Sequence, residues 1–180
     1  MRPIVFLDLD DVLCLNNPYT GYDARALVRA KRGDPDARAV EYVDLWDRLF
    51  HRQVRANLQA LDAEFVPWYV VSSSWRTSFT RKEMEIVFRQ GGVGFVADAL
   101  HEIWQTPNRT RGYYGGIRRE EIEEWIAKWH DNVSPWVAID DHESGESLIG
   151  HDNAVLCFPG VGFDGDKLQE ARGVLRMPGA

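Results

Sequence analysis

The apolar run Ile4-Val5-Phe6-Leu7 ends directly in Asp8, and Asp10 and Asp11 follow within three further positions. A β-branched and aromatic run of this kind reads as a buried strand, here over residues 4–8. Crowding carboxylates onto its end is costly, because each one disfavours ionisation of the others. The cluster therefore demands a cation or a developing positive charge nearby. It also demands a fold that opens the end of a buried strand onto a binding site.

The rest of the chain supplies that fold. "FVPWYVVSSSWR" gives a second apolar strand over 66–71, ended by Ser72, Ser73 and Ser74. "WVAIDD" is a third, running into Asp140 and Asp141, "NAVLCF" is a fourth, and a weaker strand is expected within 95–105. Between them, apolar residues at three- and four-residue steps predict a helix over 40–64, and another over 80–90 that stops at Gly91-Gly92. "GGIRREEIEEWIAKWHD" is amphipathic, with Ile122, Trp125, Ile126 and Trp129 on one face, and a closing helix is expected over 164–175. Strands alternating with helices imply an α/β protein with a mostly parallel sheet covered on both faces. Residues 14–40, punctuated by Pro18, Gly21, Gly33 and Pro35, read as an irregular insert, a flap or rudimentary cap. This insert carries Arg25, Arg29, Lys31, Arg32 and Arg38, a local basic excess in an acidic protein.

A length of 180 residues suits a single domain over 1–180, with too little chain left for an independently folded cap. The net charge of −7 argues against a broad nucleic-acid footprint, though a local basic groove is compatible with it. Cys14 and Cys157 form neither a metal-type spacing nor a disulfide framework, and no signal peptide or membrane-length apolar run is apparent, so a cytoplasmic, membrane-free protein is expected.

In parallel α/β sheets, ligands sit beyond the carboxyl ends of the strands. The polar residues there are Asp8, Asp10 and Asp11, then Ser72, Ser73 and Ser74, then Asp140 and Asp141. Hard oxygen ligands converging on one edge suit Mg²⁺. Arg118 and Arg119 stand at the start of their helix, where the helix dipole disfavours cations. Either they pair locally with Glu121 or Glu123, or one of them reaches an anion. Arg76, close to the serines, is a further candidate for binding substrate phosphate. An anion, Mg²⁺, a carboxylate nucleophile and hydroxyl donors together point to phosphoryl transfer through an aspartyl-phosphate.

"VFLDLDDVL" resembles the first motif of the haloacid dehalogenase (HAD) superfamily, "YVVSSSWR" its second and "WVAIDDHES" its fourth. "SSSWR", "RREEIEEWI" and "AIDD" together look most like the HAD domain of Swiss Army Knife RNA repair proteins. The resemblance implies a three-layer Rossmannoid fold with a minimal cap or none, and a Mg²⁺-dependent phosphatase. It implies that Asp8 attacks phosphorus and that Asp10 protonates the leaving oxygen. Ser72 or Ser73 would hold a phosphoryl oxygen, and Arg118 would take the third-motif position, usually Lys, with Arg119 beside it. Asp140 or Asp141 would complete the Mg²⁺ shell with Asp8 and the Asp10 carbonyl. An open cleft and a basic insert favour a bulky, polyanionic substrate, an RNA or DNA end. The rival reading, an inactive phosphate- or nucleic-acid-binding module, is opposed by the intact Asp8 and Asp10.

Overall fold

In the computed structural model, which describes residues 2–31, 44–109, 117–131 and 133–177, the first apolar run forms the middle of a sheet. β1 (Ile4–Leu7) lies between β2 (Trp68–Val71) and β4 (Trp136–Asp141), with β3 (Leu100–Gln105) and β5 (Ala154–Cys157) outermost. All four pairings are parallel, in the order β3-β2-β1-β4-β5. Both faces of the central strands are apolar, as a sheet covered on two sides requires. Val5, Leu7, Tyr69, Val71, Val137 and Ile139 enter one core, while Ile4, Phe6, Val70 and Ala138 enter the other.

The larger core is closed by α3 (Arg52–Phe65), α4 (Arg81–Gln90), α5 (Gly94–Asp98) and α7 (Gly165–Arg176). The smaller one is closed by α6 (Arg118–Trp129), through Ile122 and Trp125. Trp125 meets Phe6 edge-to-face with ring centroids 5.3 Å apart, a geometry worth about 0.5–1.5 kcal/mol beyond burial. The fold is the parallel, two-side-covered α/β sheet expected from the strand and helix pattern, and it agrees with the three-layer HAD-like arrangement that the resemblance implies.

Two local expectations are corrected. The insert over 14–40 is not irregular throughout, because α1 (Gly21–Lys31) occupies its middle and buries Ala24 and Val28. Pro18 and Gly21 stand before or at the helix start rather than within it, and Asp23 accepts hydrogen bonds from the Thr20 N–H at 2.8 Å and hydroxyl at 2.9 Å. Residues 32–40 of that insert, with Arg32 and Arg38, lie outside the described residues. The helix expected over 40–64 is divided into α2 (Leu45–Arg48) and α3. Between them the His51 N–H donates to the Leu13 carbonyl at 3.1 Å, so the loop after β1 takes a donor that a continuous helix would have used. No described helix is long and apolar enough to cross a membrane.

Candidate active site

Parallel pairing places every strand's carboxyl end on one edge, and the register sets which residues meet there. Leu7 is abreast of Val71 and of Ile139, and Val71 is abreast of Gln105. The residues that follow, Thr106, Ser72, Asp8 and Asp140, therefore form a row across four adjacent strands. Backbone hydrogen bonds fix it, from Ser72 N to Leu7 O at 3.0 Å, Asp8 N to Ile139 O at 2.9 Å and Thr106 N to Val71 O at 3.1 Å. All four side chains are buried.

Asp8, Asp140 and Asp141 bring one carboxylate oxygen each within 4.8 Å of one another. Arg118, at the first position of α6, reaches into this group. Its Nη2 donates to Asp8 Oδ1 at 3.3 Å, and its Nε lies 2.8 Å from Asp140 Oδ2, an ionic contact without hydrogen-bond alignment. Its Nη1 lies 3.5 Å from Glu121 Oε2. The same carboxylate meets Arg76 Nη2 at 2.6 Å, and Arg76 Nη1 donates to the Ser72 and Ser73 carbonyls at 2.8 and 2.6 Å. Arg76 is thus turned inward, clamping the serine turn to α6.

The electrostatics are unbalanced. Four buried carboxylates, Asp8, Asp140, Asp141 and Glu121, face two buried guanidiniums, Arg76 and Arg118. Burial, and then repulsion from Asp140, holds the Asp8 carboxyl well above the ordinary range, against the pull of Arg118. Asp140 is also raised by burial, against Arg118 and the Ser144 hydroxyl. Burial works against the charge of Arg118, but Asp140, Asp8 and Glu121 outweigh it and raise its value. Asp8 Oδ2 is buried with no hydrogen-bond partner among the described residues. Two more buried carboxyl groups than guanidiniums, hard oxygen donors and an orphaned carboxylate oxygen all fit a divalent cation such as Mg²⁺.

The other sequence candidates separate clearly. Ser72 Oγ is buried without a partner among the described residues, whereas Ser73 Oγ accepts from the Trp75 N–H at 3.4 Å and caps the short turn Ser74–Thr77. Asp10 is outside the triad of acids. Its Oδ2 accepts from the Trp75 indole N–H at 2.8 Å, and burial raises its pKa against that hydrogen bond. Arg119 is not brought to the cluster, being half exposed and paired with Glu123 at 2.7 Å. Asp11, at φ 52°, accepts from Gly160 N at 2.9 Å and ties the β1 loop to the loop after β5.

Several contributors escaped the sequence reading. Thr106 Oγ1 is buried at the end of the row without a partner among the described residues. Its position directly after the weak third strand was the available signal. Ser144 donates to Asp140 Oδ1 at 2.8 Å and to Asp141 Oδ2, orienting both acids from the following turn. That turn is tight, because a Cβ on Gly145 would come within 2.6 Å of the Asp141 carbonyl and 3.0 Å of Asp140 Cβ. Trp75 also contributes, since its indole N–H reaches Asp10.

A parallel sheet in this strand order, with aspartates ending its two central strands and a serine ending the next, defines an HAD-like hydrolase domain. The chain belongs to the family described as the HAD domain in Swiss Army Knife RNA repair proteins, whose family model matches residues 4–168. Neither a curated protein nor a solved structure matches it.

Proposed function

We propose that the protein is a Mg²⁺-dependent phosphatase that works through an aspartyl-phosphate on Asp8 and acts on phosphorylated ends of nucleic acids. The observation that carries the chemistry is the row Ser72–Asp8–Asp140 with Arg118 against it. A carboxylate oxygen and a hydroxyl, each without a hydrogen-bond partner among the described residues, and a fixed cation meet at one strand edge. In this reading, Arg118 anchors Asp8 Oδ1 and Asp8 Oδ2 attacks phosphorus, forming an acyl-phosphate as the bond to the alcohol oxygen breaks. Asp10 gives its proton to that oxygen, then takes one from the water that attacks the acyl-phosphate, releasing phosphate and restoring Asp8. Ser72 donates to a phosphoryl oxygen, and Arg118 offsets the developing equatorial charge. Mg²⁺, held by Asp8, Asp140, Asp141 and the Asp10 carbonyl, would neutralise charge on the transferring group.

The nucleic-acid substrate is supported by the RNA repair proteins after which the family is described, and by Arg25, Arg29 and Lys31 on α1. Hydrolysis of 3′- and 5′-phosphorylated oligonucleotides, sugar phosphates and nucleotides, with Mg²⁺ and with EDTA, tests both parts. Asp8→Asn is expected to fold and to lose turnover at least a thousandfold, since an amide cannot form the acyl-phosphate. Full turnover by this variant refutes the mechanism. An oligonucleotide that binds but is never cleaved marks a binding module instead.

A further inference from the structure

A cleft of about 420 Å³ opens beside Asp10, between the start of α1 and the turn after β2. Asp10, Tyr22, Arg25, Trp75 and Phe79 are among the residues that line it. If Asp10 is the acid, it must come within hydrogen-bond reach of the departing oxygen. Asp10 lines this cleft, so a departing oxygen within its reach can carry its organic group into it.

The cleft is built rather than incidental. The Trp75 indole occupies Asp10 Oδ2, so Oδ1 is the oxygen left to meet the ester. Trp75 itself is held in place. Its ring stacks on Phe79 with centroids 5.6 Å apart, and a Cβ on Gly21 would come within 2.5 Å of the indole. Trp75 and Phe79 thus give the cleft an aromatic side, and Tyr22, which also lines it, is 82% exposed. Among the described residues that line it, Arg25 is the one cation and Asp10 the one acid. The acid nearest to Arg25 in sequence, Asp23, is bonded to Thr20, while Arg25 Nε is buried with no hydrogen-bond partner among the described residues. A guanidinium with donors to spare beside an aromatic wall suits a planar anion.

We propose that this cleft takes the alcohol half of the phosphate ester and that Arg25 selects alcohols that combine a planar ring with a negative charge of their own. The inference rests on the phosphatase reading above and deepens it. The nucleotide next to a terminal phosphate has this chemistry, and so does a small acidic aryl phosphate.

The test uses two unreactive probes, benzylphosphonate and 3-carboxybenzylphosphonate, titrated calorimetrically into the Mg²⁺-loaded protein. The wild type is expected to bind the carboxylated probe about tenfold more tightly, in keeping with one charge-assisted hydrogen bond. Arg25→Gln is expected to bring the ratio of the two Kd values close to one, and Arg25→Lys, which keeps the charge, to retain most of it. Equal binding of both probes by the wild type overturns the proposal, and so does a preference that survives Arg25→Gln in a variant with an unchanged melting curve. Competition by a 3′-phosphorylated dinucleotide and by 3-carboxyphenyl phosphate then separates the two sources of the ligand. The phosphatase reading fails by a different sign, namely phenyl phosphate that is not hydrolysed or is hydrolysed equally by Asp8→Asn.

Discussion

Glu121 Oε2 and Arg76 Nη2 meet at 2.6 Å in a pair whose side chains are only 3% and 4% exposed. Through this pair α6 is joined to the turn that ends β2, since Arg76 also holds the Ser72 and Ser73 carbonyls and Glu121 also touches Arg118. One carboxylate thus touches both Arg118 and the arginine that holds the Ser72 and Ser73 carbonyls.

Glu121→Gln takes from buried Arg76 the carboxylate that meets it, while Arg118 keeps Asp8 and Asp140. Breaking a buried pair from one side costs about 3–5 kcal/mol, and urea unfolding should register a loss of that order. Glu123→Gln removes the partner of exposed Arg119 and should change stability by less than about 1 kcal/mol. Similar losses in the two variants would mean that the Arg76 clamp is not a structural anchor.

The pH dependence follows from the raised carboxyls. Burial lifts Asp8, Asp10 and Asp140, against the Trp75 hydrogen bond at Asp10 and the charge of Arg118 at Asp8 and Asp140. A carboxyl raised in the folded state binds more protons folded than unfolded, so it lowers stability as pH climbs from the ordinary carboxylate range through the raised values. Asp44, Glu64, Glu124 and Asp131, none of them buried, are shifted the other way, and their contribution is lost only as pH falls into or below the ordinary range. In EDTA the protein should therefore melt lower as pH is raised above the ordinary carboxylate range. Mg²⁺ should lessen the fall by stabilising the ionised triad. A metal-free melting temperature that rises with pH there contradicts the raised carboxyls.

Gly145→Ala tests how tightly the acidic turn is packed. The new Cβ meets backbone, the Asp141 carbonyl at 2.6 Å, so the turn has to move. Overpacking of this kind costs about 1–3 kcal/mol. Because the displaced atoms belong to Asp140 and Asp141, calorimetry should also find weaker Mg²⁺ binding. Unchanged affinity would place the cation elsewhere.

Both thiols should be silent in the folded protein. Cys14 and Cys157 are fully buried, and burial pushes Cys14 up to about 12 and Cys157 higher still. Iodoacetamide at neutral pH should leave both unmodified, as read by intact mass, and label both in urea.

The central strands were legible in the sequence because they are apolar on both faces and end abruptly in acids or hydroxyls. β3 was harder, since LHEIWQ has only Leu100 fully buried and carries a histidine and a glutamate. Thr106 was missed along with it. Helix α1 was obscured by Pro18 and Gly21, residues that bound it instead of breaking it. The break between α2 and α3 was invisible because its cause, the Leu13 carbonyl, is distant in the chain. Arg118 and Arg119 are adjacent in sequence and differ only in helix face, and their separate partners emerge once α6 is docked by Ile122 and Trp125. Sequence spacing identified which residue types converge; tertiary packing assigned Arg76 to the clamp and Ser73 to a cap.

The central place of β1 also bears on synthesis at the ribosome. Ile4–Leu7 leave the exit tunnel before the other strands of the sheet, pair with β2 on one side, and then wait for Trp136–Asp141 on the other. Until that segment emerges, the most apolar strand presents an open row of backbone donors and acceptors, the feature that templates aggregation. Nascent chains halted before Trp136 should thus depend on chaperones, and translation pauses in the preceding stretch should depress the yield of folded protein more than pauses after Cys157.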